Sequence, residues 1–491
     1  MIDELPRGWA SVSLGELGAY FNGRAFKPSE WEQHGLPIIR IQNLNDLSAP
    51  FNYSRKKFDE RVRVKNGDLL IAWSASLGAF IWNGGDAWLN QHIFRVEHNA
   101  SVCTKHFLYY SVRHALDDLY LKAHGSGMVH VTKPVFEAQQ VPLPPIPEQQ
   151  RIVAKLEQLL GKVGDCRKRV SRVPAFLARF RRSVLAAACS GRLTAEWRDK
   201  NLGDVEIDSM LSSIEHRQYL SAKSVAQKEK FREIFSVLEE GNSEEIPDNW
   251  RFVRLNKLVT SFNYGTSAKS KRSGKIPVLR MGNLQGGAID WSDLAYTSDV
   301  AEIRQYSLSP QTVLFNRTNS PELVGKTAIY RGERPAIFAG YLIRINLHVE
   351  LNAEYLNLCL NTSYAREFCA SVKTDGVSQS NINAQKLGTF EVPFCHPAEQ
   401  QEIVRRVGGL FSLADKIEAR FKIIQRQVDR LPQSILAKAF RGELVPTEAE
   451  LAEREGRAYE SAEQLLQRIQ SSHNAVPASV AKKRGKRSTH R

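Results

Sequence analysis

A heptad pattern of apolar residues, present twice, constrains the fold of this chain more than any other feature. Apolar residues recur at alternating steps of four and three from Ile152 to Val184 and again from Ile403 to Leu431. This spacing places them on one face of an α-helix, and such a face needs an apolar partner because a lone helix is only marginally stable in water. The sequence therefore predicts two long helices that pack against each other. The residues predicted to form the contact are Ile152, Leu156, Leu159, Val163, Val170, Leu177, Phe180, Ile403, Val407, Leu410, Ile417, Phe421 and Ile424.

The two heptad stretches are copies of one sequence unit. Glu148-Gln149-Gln150 precedes the first stretch and Glu399-Gln400-Gln401 precedes the second, which gives an offset of 399 − 148 = 251 residues. Gly191 and Gly442 follow the stretches with the same offset, 442 − 191 = 251. No residue is gained or lost between these markers, so we expect helices of equal length. About 41 residues at ~1.5 Å each give a rod of about 60 Å.

A proline interrupts the two copies at different places. Pro174 lies inside the first heptad stretch, whereas the second copy carries its proline at Pro432, just after the last apolar position. Proline removes a helical hydrogen bond and clashes with the preceding turn. We therefore expect a first helix that runs to about residue 188 with a kink at Pro174.

Each predicted helix follows a globular segment that is itself repeated. Trp9 matches Trp250, and the apolar run that begins at Pro37 matches the run that begins at Pro277. Such runs, closed by polar residues, are typical of buried strands. We expect a mixed α/β fold class, with two globular domains separated by two long helices. If these helices pack as an antiparallel coiled coil, the internal repeat has pseudo-two-fold symmetry. The predicted organisation is a first globular domain at 1–146, a long helix at 147–190, a charged connector with one amphipathic helix at 191–245, a second globular domain at 246–396, a second long helix at 397–442 and a C-terminal region with a basic tail at 443–491.

Charge and composition favour a polyanionic partner. The formal net charge is +15, which favours nucleic acid over a generic soluble basic protein. No run approaches the ~20 apolar residues that span a bilayer, so no membrane contact is expected. The six cysteines form no CxxC pair, and the N-terminus lacks the apolar core of a secretory signal. We therefore expect reduced thiols and a cytoplasmic protein.

The sequence contains only incomplete versions of enzymatic motifs. Gly325-Lys326-Thr327 resembles the end of a phosphate-binding loop, but the position of the leading glycine holds Ser320. Asn319-Ser320-Pro321-Glu322 lacks the second proline and the aromatic ring of the amino-methyltransferase motif. The twelve histidines show no zinc-binding spacing. We therefore predict no catalytic residue, no metal site and no enzyme activity in this chain.

A duplicated basic protein with approximate two-fold symmetry fits double-stranded DNA, because symmetric proteins place equivalent surfaces on two half-sites at a fixed separation. Polar side chains at strand ends can reach base edges, and glycine- and serine-rich loops can donate backbone hydrogen bonds to phosphates. Each such residue is equally consistent with an ordinary turn. The candidate DNA-binding residues are Arg40, Gln42, Asn43, Asn45, Ser74, Ser76, Ser126, His130, Arg280, Asn283, Gln285, Asn316, Arg317, Lys373, Ser378 and Gln379.

Several motifs together resemble one known family. They are Pro-x-x-Trp at the start of each globular segment, Pro-Ile-Pro-Glu-Gln-Gln-Arg-Ile-Val at 145–153, Glu-Gln-Gln-Glu-Ile-Val-Arg-Arg-Val at 399–407 and Gln-Ser-Ile-Leu-Ala-Lys-Ala-Phe-Arg-Gly-Glu-Leu-Val at 433–445. The chain resembles the specificity subunit of type I restriction–modification enzymes, and the last two motifs are similar to those of the type IA subgroup. The resemblance covers essentially the whole chain and is weakest in the globular segments.

The resemblance implies a division of labour. Each globular segment would be a target-recognition domain for one half of a bipartite, gapped DNA sequence, and the helices would set the spacer. Two modification subunits would bind S-adenosylmethionine and methylate adenine, and two restriction subunits would use ATP and Mg. This chain would hold no cofactor and would direct both reactions without catalysing either.

Two other interpretations stay open at this point. The first is a coiled-coil scaffold that joins protein partners without sequence readout, and the second is a self-sufficient methyltransferase or ATPase. Cations on the outer helix faces are consistent with DNA phosphates and with partner carboxylates alike. These cations are Arg151, Lys155, Lys162, Arg405, Arg406 and Lys416.

Overall fold

The chain folds into two compact units that each contain one globular domain and parts of the long helices. The structure is a computed structural model that describes residues 4–121, 131–202, 206–237 and 245–474. Unit 1 comprises Met1–Ser171 and Ile423–Arg491, and unit 2 comprises Arg172–Lys422. Within the described residues, none of the helices combines the length and apolar composition that a bilayer crossing requires. The basic tail lies outside the described residues.

In the described part of unit 1, the globular domain contains three small sheets. The four-stranded antiparallel sheet has the order β2-β9-β6-β7, a second sheet has the order β4-β3-β8-β5, and β1 pairs with β10. The strands are β1 Ala10–Ser13, β2 Gly18–Asn22, β3 Leu36–Ile39, β4 Asn52–Ser54, β5 Arg63–Val64, β6 Leu69–Ala72, β7 Gly78–Ile81, β8 Ala87–Leu89, β9 Ile93–His98 and β10 Gln140–Leu143. The helices are α1 Leu14–Leu17, α2 Ile41–Asn45, α3 Lys105–Leu121, α4 Lys133–Glu137 and α5 Ile146–Val170.

Unit 2 repeats this topology with the sheets β12-β21-β17-β19 and β16-β13-β20 and with β11 paired with β24, and its described residues add the sheets β18-β23-β22 and β14-β15. Its helices are α6 Val173–Cys189, α7 Ala195–Asn201, α8 Ile207–Ser221, α9 Val225–Ser236, α10 Val300–Tyr306, α11 Ala353–Cys359, α12 Ser363–Val372 and α13 Ala384–Gly388. Its strands are β11 Arg251–Arg254, β12 Val259–Tyr264, β13 Ile276–Leu279, β14 Leu284–Gln285, β15 Ala288–Ile289, β16 Ala295–Thr297, β17 Thr312–Asn316, β18 Thr318–Asn319, β19 Thr327–Tyr330, β20 Ile337–Phe338, β21 Leu342–Leu347, β22 Thr374–Asp375, β23 Ser380–Asn381 and β24 Glu391–Phe394. The predicted mixed fold and internal repeat are therefore confirmed.

The second long helix is continuous, whereas the first is not. Helix α14 covers Pro397–Phe440 with Pro432 inside it, and α15 Glu448–Glu455 and α16 Ala462–Asn474 follow. The expectation of a single first helix is wrong, because α5 ends at Val170 and α6 begins at Val173. Pro174 lies in the first turn of α6, where its missing N–H leaves no helical hydrogen bond unmade.

Helix pairs inside each unit run antiparallel. In unit 1, Arg151 of α5 pairs with Glu448 (2.8 Å), whereas Arg167, farther along α5, pairs with Asp429 (3.1 Å) of α14. In unit 2, Arg181 of α6 pairs with Asp415 of α14 (2.6 Å), whereas the Leu193 carbonyl, which follows α6, accepts from Arg406 of α14 (2.8 Å). Residue numbers along one helix rise as those of its partner fall, which is the antiparallel arrangement.

The heptad positions are buried unevenly. Ile152, Leu156, Val163, Leu177, Ile403 and Val407 are buried, and Leu159, Val170, Phe180, Leu410 and Phe421 are half-buried. Ile417 and Ile424 are 42% and 45% exposed, which corrects their assignment to the packed face. In the register set by Arg167 and Asp429, Ile424 lies beyond the end of α5.

The segment predicted to be a connector contributes to the core of unit 2. The single amphipathic helix expected there is two helices, α8 and α9, and Ile207 and Ile214 of α8 are buried with Val253 and Leu258 in one core. In unit 1, α16 packs similarly against the start of the chain, where the Ala462 N–H donates to the Gly8 carbonyl (3.0 Å).

A buried tryptophan–glutamate hydrogen bond joins each globular domain to a long helix. The Trp9 Nε1–H donates to Glu148 Oε1 (3.0 Å), and the Trp250 Nε1–H donates to Glu399 Oε2 (2.9 Å). All four side chains are almost fully buried. A buried carboxylate requires hydrogen-bond donors, so the tryptophan of the Pro-x-x-Trp motif and the glutamate of the repeated triplet are structural partners.

The following glutamine completes this joint in both units. Gln149 Nε2 donates to the carbonyls of Val102 and Pro144 (both 3.0 Å), and its Oε1 accepts the Thr104 N–H (3.0 Å). Gln400 is bonded in the same way, to the carbonyls of Glu350 and Cys395 and the N–H of Asn352. One side chain thus ties the last strand of the domain, the start of an internal helix and the long helix together.

Two glycines close the joint from the other side. Gly191 and Gly442 have φ of 71° and 75°, a region that favours glycine. A Cβ at Gly191 would lie 2.6 Å from Pro247 Cγ, and one at Gly442 would lie 2.5 Å from Pro6 Cγ. The proline of each Pro-x-x-Trp motif therefore packs against the glycine that follows a long helix, which explains why these glycines recur with the motifs.

Glu148 and Glu399 differ in the groups that hydrogen-bond to their buried carboxylates. Arg198 Nε donates to Glu399 Oε1 at 2.9 Å, so the joint of unit 2 contains an ion pair. Glu148 instead accepts the backbone N–H of Glu448 (2.8 Å), and the nearby Arg151 pairs with the Glu448 carboxylate. Burial without a direct cationic partner raises the pKa of Glu148 to about 7.

We predict that Ile403→Ala in the helix contact lowers the free energy of unfolding of unit 2 by about 2–5 kcal/mol, because it leaves a cavity in a fully buried site. Ile417→Ala on the same helix is the matched control and should change it by less than about 0.5 kcal/mol. Calorimetric or denaturant unfolding of the full chain measures both. Equal losses would show that Ile417 is packed as well.

We also predict that unit 1 loses stability as pH rises from about 5 to 8. The pKa of Glu148 is raised on folding from its ordinary value of 4.5, so its contribution is complete below that value and is lost as pH passes about 7. Glu148→Gln keeps an acceptor for Trp9 and should show a smaller fall in unfolding temperature over this range.

The quantity to compare is the pH dependence of the unfolding temperature in the wild type and in Glu148→Gln, because other groups titrate in the same pH range. Burial lowers the pKa of His114, which acts in the opposite direction, whereas Glu402 has a pKa lowered to about 2 by Arg405 and Arg406 and titrates outside the window. Identical pH slopes for the wild type and Glu148→Gln would contradict the assignment to Glu148.

Candidate nucleic-acid interface

A tight turn at the end of a central strand presents an arginine in each unit. Strands β3 and β13 end just before Arg40 and Arg280, and the N–H groups of these arginines donate to Asn43 Oδ1 (3.1 Å) and Asn283 Oδ1 (2.8 Å). Both arginine side chains are half-buried. The sequence motif Arg-x-x-Asn therefore builds the same turn twice.

The asparagines of these turns are structural, which corrects their assignment as DNA contacts. Asn43 is buried, and its Nδ2 donates to the carbonyls of Ala49 (3.1 Å) and Pro50 (3.3 Å). Asn283 is buried likewise and donates to the carbonyls of Asp290 and Asp293. Because their amides are used inside the turn, they hold the arginine in place and do not face a ligand.

Arg280 lines a cavity of about 710 Å³ in unit 2. Lys269 and Arg317 also line it, together with Tyr264 and Tyr341, and none of the described lining residues is acidic. The Arg317 guanidinium lies 4.6 Å from the centroid of the Tyr264 ring, a cation–π contact. This cationic and aromatic lining suits the charge and the flat faces of a nucleic acid.

Neighbouring candidates fall into three groups. Ser74 and Asn316 are buried, which corrects their assignment as exposed contacts. Gln42, Asn45, Gln285, Ser378 and Gln379 are exposed, and Asn45 Nδ2 donates to Ser76 Oγ (3.4 Å). Ser126 and His130 lie outside the described residues.

The strand pair β22–β23 is positioned beside Arg317. It carries Lys373 just before it, and it pairs with β18, which begins one residue after Arg317. The Ile382 N–H donates to the Arg317 carbonyl (2.9 Å). Lys373 pairs with Asp375 (3.0 Å), so part of its charge is neutralised within the strand pair. The structure thus brings together Arg280, Arg317 and this hairpin, which are far apart in sequence.

Sequence reasoning missed the aromatic residues of the site. Tyr264 precedes Gly265 and Tyr341 follows Gly340, so a tyrosine beside a glycine at a strand end was the available signal. Among the described residues, no group of three or more His, Cys, Asp or Glu side chains is arranged to hold a metal ion. The chemistry on display is binding chemistry: cationic donors, aromatic faces and polar turns.

Known proteins share this organisation. The family described as type I restriction modification DNA specificity domain matches residues 6–164 and 247–425. The EcoBI specificity subunit of Escherichia coli is 28% identical over 89% of this chain and 86% of its own length. The MjaVIII specificity subunit of Methanocaldococcus jannaschii is 23% identical over 90% of this chain and 94% of its own length.

Solved structures are similar in fold. A chain from a structure of the type I restriction–modification system has a TM-score of 0.60, with 18% identity over 90% of this chain and all of that chain. The HsdS subunit of Thermoanaerobacter tengcongensis has a TM-score of 0.55, with 18% identity over 90% and 99% of the two chains. Since the family match includes both globular domains and covers more than half of the sequence, the chain belongs to the type I restriction–modification DNA specificity family.

Proposed function

We propose that this chain is the DNA sequence-specificity subunit of a type I restriction–modification complex and that it catalyses neither reaction itself. It binds a bipartite, gapped target and directs adenine methylation and restriction by partner subunits. The observation that carries this proposal is the duplicated turn, which presents Arg40 and Arg280 at equivalent strand ends of the two units. A DNA target with two half-sites requires two equivalent binding surfaces, and the repeated turn provides one in each unit.

The two globular domains, 1–146 and 246–396, are in this proposal the two target-recognition domains. Arginine can donate two hydrogen bonds to O6 and N7 of guanine, which is the commonest specific contact in the major groove. Arg280 retains an Nε–H that is buried without a hydrogen-bond partner among the described residues, and its Nη2 pairs with the 92%-exposed Asp293. That exposed ion pair can be exchanged for a base edge at little cost.

Partner subunits are proposed to bind the long helices. Two modification subunits would supply S-adenosylmethionine, and two restriction subunits would supply ATP and Mg chemistry, in the cytoplasm. Contiguous exposed apolar residues mark protein contacts in soluble proteins. The large apolar side chains exposed on the helices are Phe176, Leu413 and Ile417 in unit 2 and Ile423, Ile424 and Leu431 in unit 1.

The cations on the outer helix faces do not decide between DNA and protein partners. Arg405 and Arg406 both pair with Glu402, at 2.7 and 2.6 Å, and Arg151 pairs with Glu448. These arginines are therefore already engaged inside the chain, and the exposed apolar residues carry the docking argument.

We predict that Arg280→Ala weakens binding of the complex to its cognate duplex by about 1–3 kcal/mol and weakens binding to a scrambled duplex much less. The reason is the loss of a base contact in one half-site. Competition binding with the two duplexes measures both affinities. Arg304→Ala, which removes an exposed arginine of α10 outside the cavity, is the matched control and should leave the discrimination unchanged.

An equal loss on both duplexes would show that Arg280 binds phosphate and not a base. A wild-type complex that binds both duplexes equally, with little dependence on salt, would favour the coiled-coil scaffold instead, because phosphate contacts give a steep negative salt slope.

A further inference from the structure

The two units place different side chains at one equivalent backbone position beside the arginine turn. Strand β6 ends before Trp73, and the Trp73 N–H donates to the His92 carbonyl (3.2 Å). Strand β17 ends before Arg317, and the Arg317 N–H donates to the Tyr341 carbonyl (2.9 Å). Trp73 therefore corresponds to Arg317, and His92 corresponds to Tyr341.

The backbone around this position is the same in both units. A Cβ at Gly23 would lie 2.6 Å from the Leu89 carbonyl oxygen, and a Cβ at Gly265 would lie 2.3 Å from the equivalent Phe338 carbonyl oxygen. Each glycine lets the chain cross the end of the neighbouring strand at a distance that no side chain permits. The backbone at this position (the frame) is thus fixed by the same close packing in both units, while the side chains that it carries differ.

In unit 2 this position holds a guanidinium at the edge of a cavity, with a donor that the described part of the chain leaves unpaired. Arg317 lines the 710 Å³ cavity, and its Nε is buried without a hydrogen-bond partner among the described residues. A buried donor without a partner is unfavourable, and an acceptor on a ligand would satisfy it. The contact with the Tyr264 ring at 4.6 Å orients the planar fork, so little conformational entropy is lost on binding.

In unit 1 the same position holds an indole. The Trp73 ring is stacked on Phe94, with centroids 5.7 Å apart and an interplanar angle of 26°, and it meets His92 edge to face at 5.4 Å. An indole offers an apolar face and one N–H, whereas the two acceptors of guanine require a two-pronged donor. The two units therefore cannot select the same base pair through this position.

We propose that Arg317 is a specificity determinant that selects a guanine in the half-site bound by unit 2, and that unit 1, with Trp73 at the equivalent position, makes no such selection there. The inference rests on the proposed function and adds the residue pair that makes the two half-sites unlike. Phosphate binding by Arg317 is the competing outcome of the test.

The test uses the complex assembled from the full chain and its modification subunits, with duplexes in which each base pair of the target is changed in turn. Arg317→Lys keeps the charge but lacks the fork. It should lower the preference for guanine at one position of one half-site about 10- to 100-fold, the value of one two-pronged contact, and leave the other half-site unchanged. Arg317→Gln, which also removes the charge, should affect the same position.

Arg334→Lys is the matched control. The Arg334 guanidinium also lies 4.6 Å from an aromatic ring of unit 2, that of Trp291, but it does not line the cavity. It should leave every preference unchanged, and the intact preference for the other half-site shows in each variant that the complex has assembled.

Unchanged preferences in Arg317→Lys and Arg317→Gln, or an equal loss of affinity for all duplexes, would overturn the inference. The first result would place Arg317 away from the bases, and the second would make it a phosphate ligand. In both cases a wild-type complex that still discriminates its target would leave the proposed function standing. A wild-type complex without discrimination would instead remove the proposed function.

Discussion

The joint between tryptophan and buried glutamate is the interaction on which each unit depends. Glu148 and Glu399 are withdrawn from water at the start of a long helix, and each accepts the indole N–H of the residue that begins its globular domain. Removing one partner would leave a buried polar group unsatisfied, which costs more than the hydrogen bond itself contributes. This hydrogen bond therefore fixes which residue of the long helix lies against the start of the globular domain.

Some residues of the two units make identical contacts, whereas others at equivalent positions differ. Gln149 and Gln400 make the same three hydrogen bonds, and Asn43 and Asn283 build the same turn, so these residues specify a frame. Trp73 and Arg317 occupy one position of that frame with unlike side chains. The two units thus differ at this position although the backbone hydrogen bond that holds it is the same in both.

Much of the fold was predictable because the heptad pattern is long and strictly periodic. It predicted α14 and the packing of the long helices on each other, but it did not predict the break after Val170. The sequence indicates an interruption at Pro174, whereas the break lies before that residue, and a proline in the first turn of a helix removes no helical hydrogen bond. The helices α8 and α16 were not assigned to domain cores because their burial depends on contacts with residues distant in sequence.

The candidate site was predictable in part and for a physical reason. Arg280 and Arg317 were identified because polar side chains at strand ends can reach base edges. Asn283 was misassigned because residue type does not reveal that the turn uses both the oxygen and the nitrogen of the amide. Tyr264 and Tyr341 were missed because their proximity to Arg317 arises only when β12 pairs with β21 and β21 with β17.

The most direct measurement of the central claim is a genome-wide map of N6-methyladenine in cells that carry the modification subunits, with and without the gene for this chain. Sequence specificity residing in this chain predicts that one bipartite, gapped motif is methylated only when the gene is present. Methylation of the same motif without the gene, or no gapped motif in cells where the complex is shown to be active, would contradict the claim.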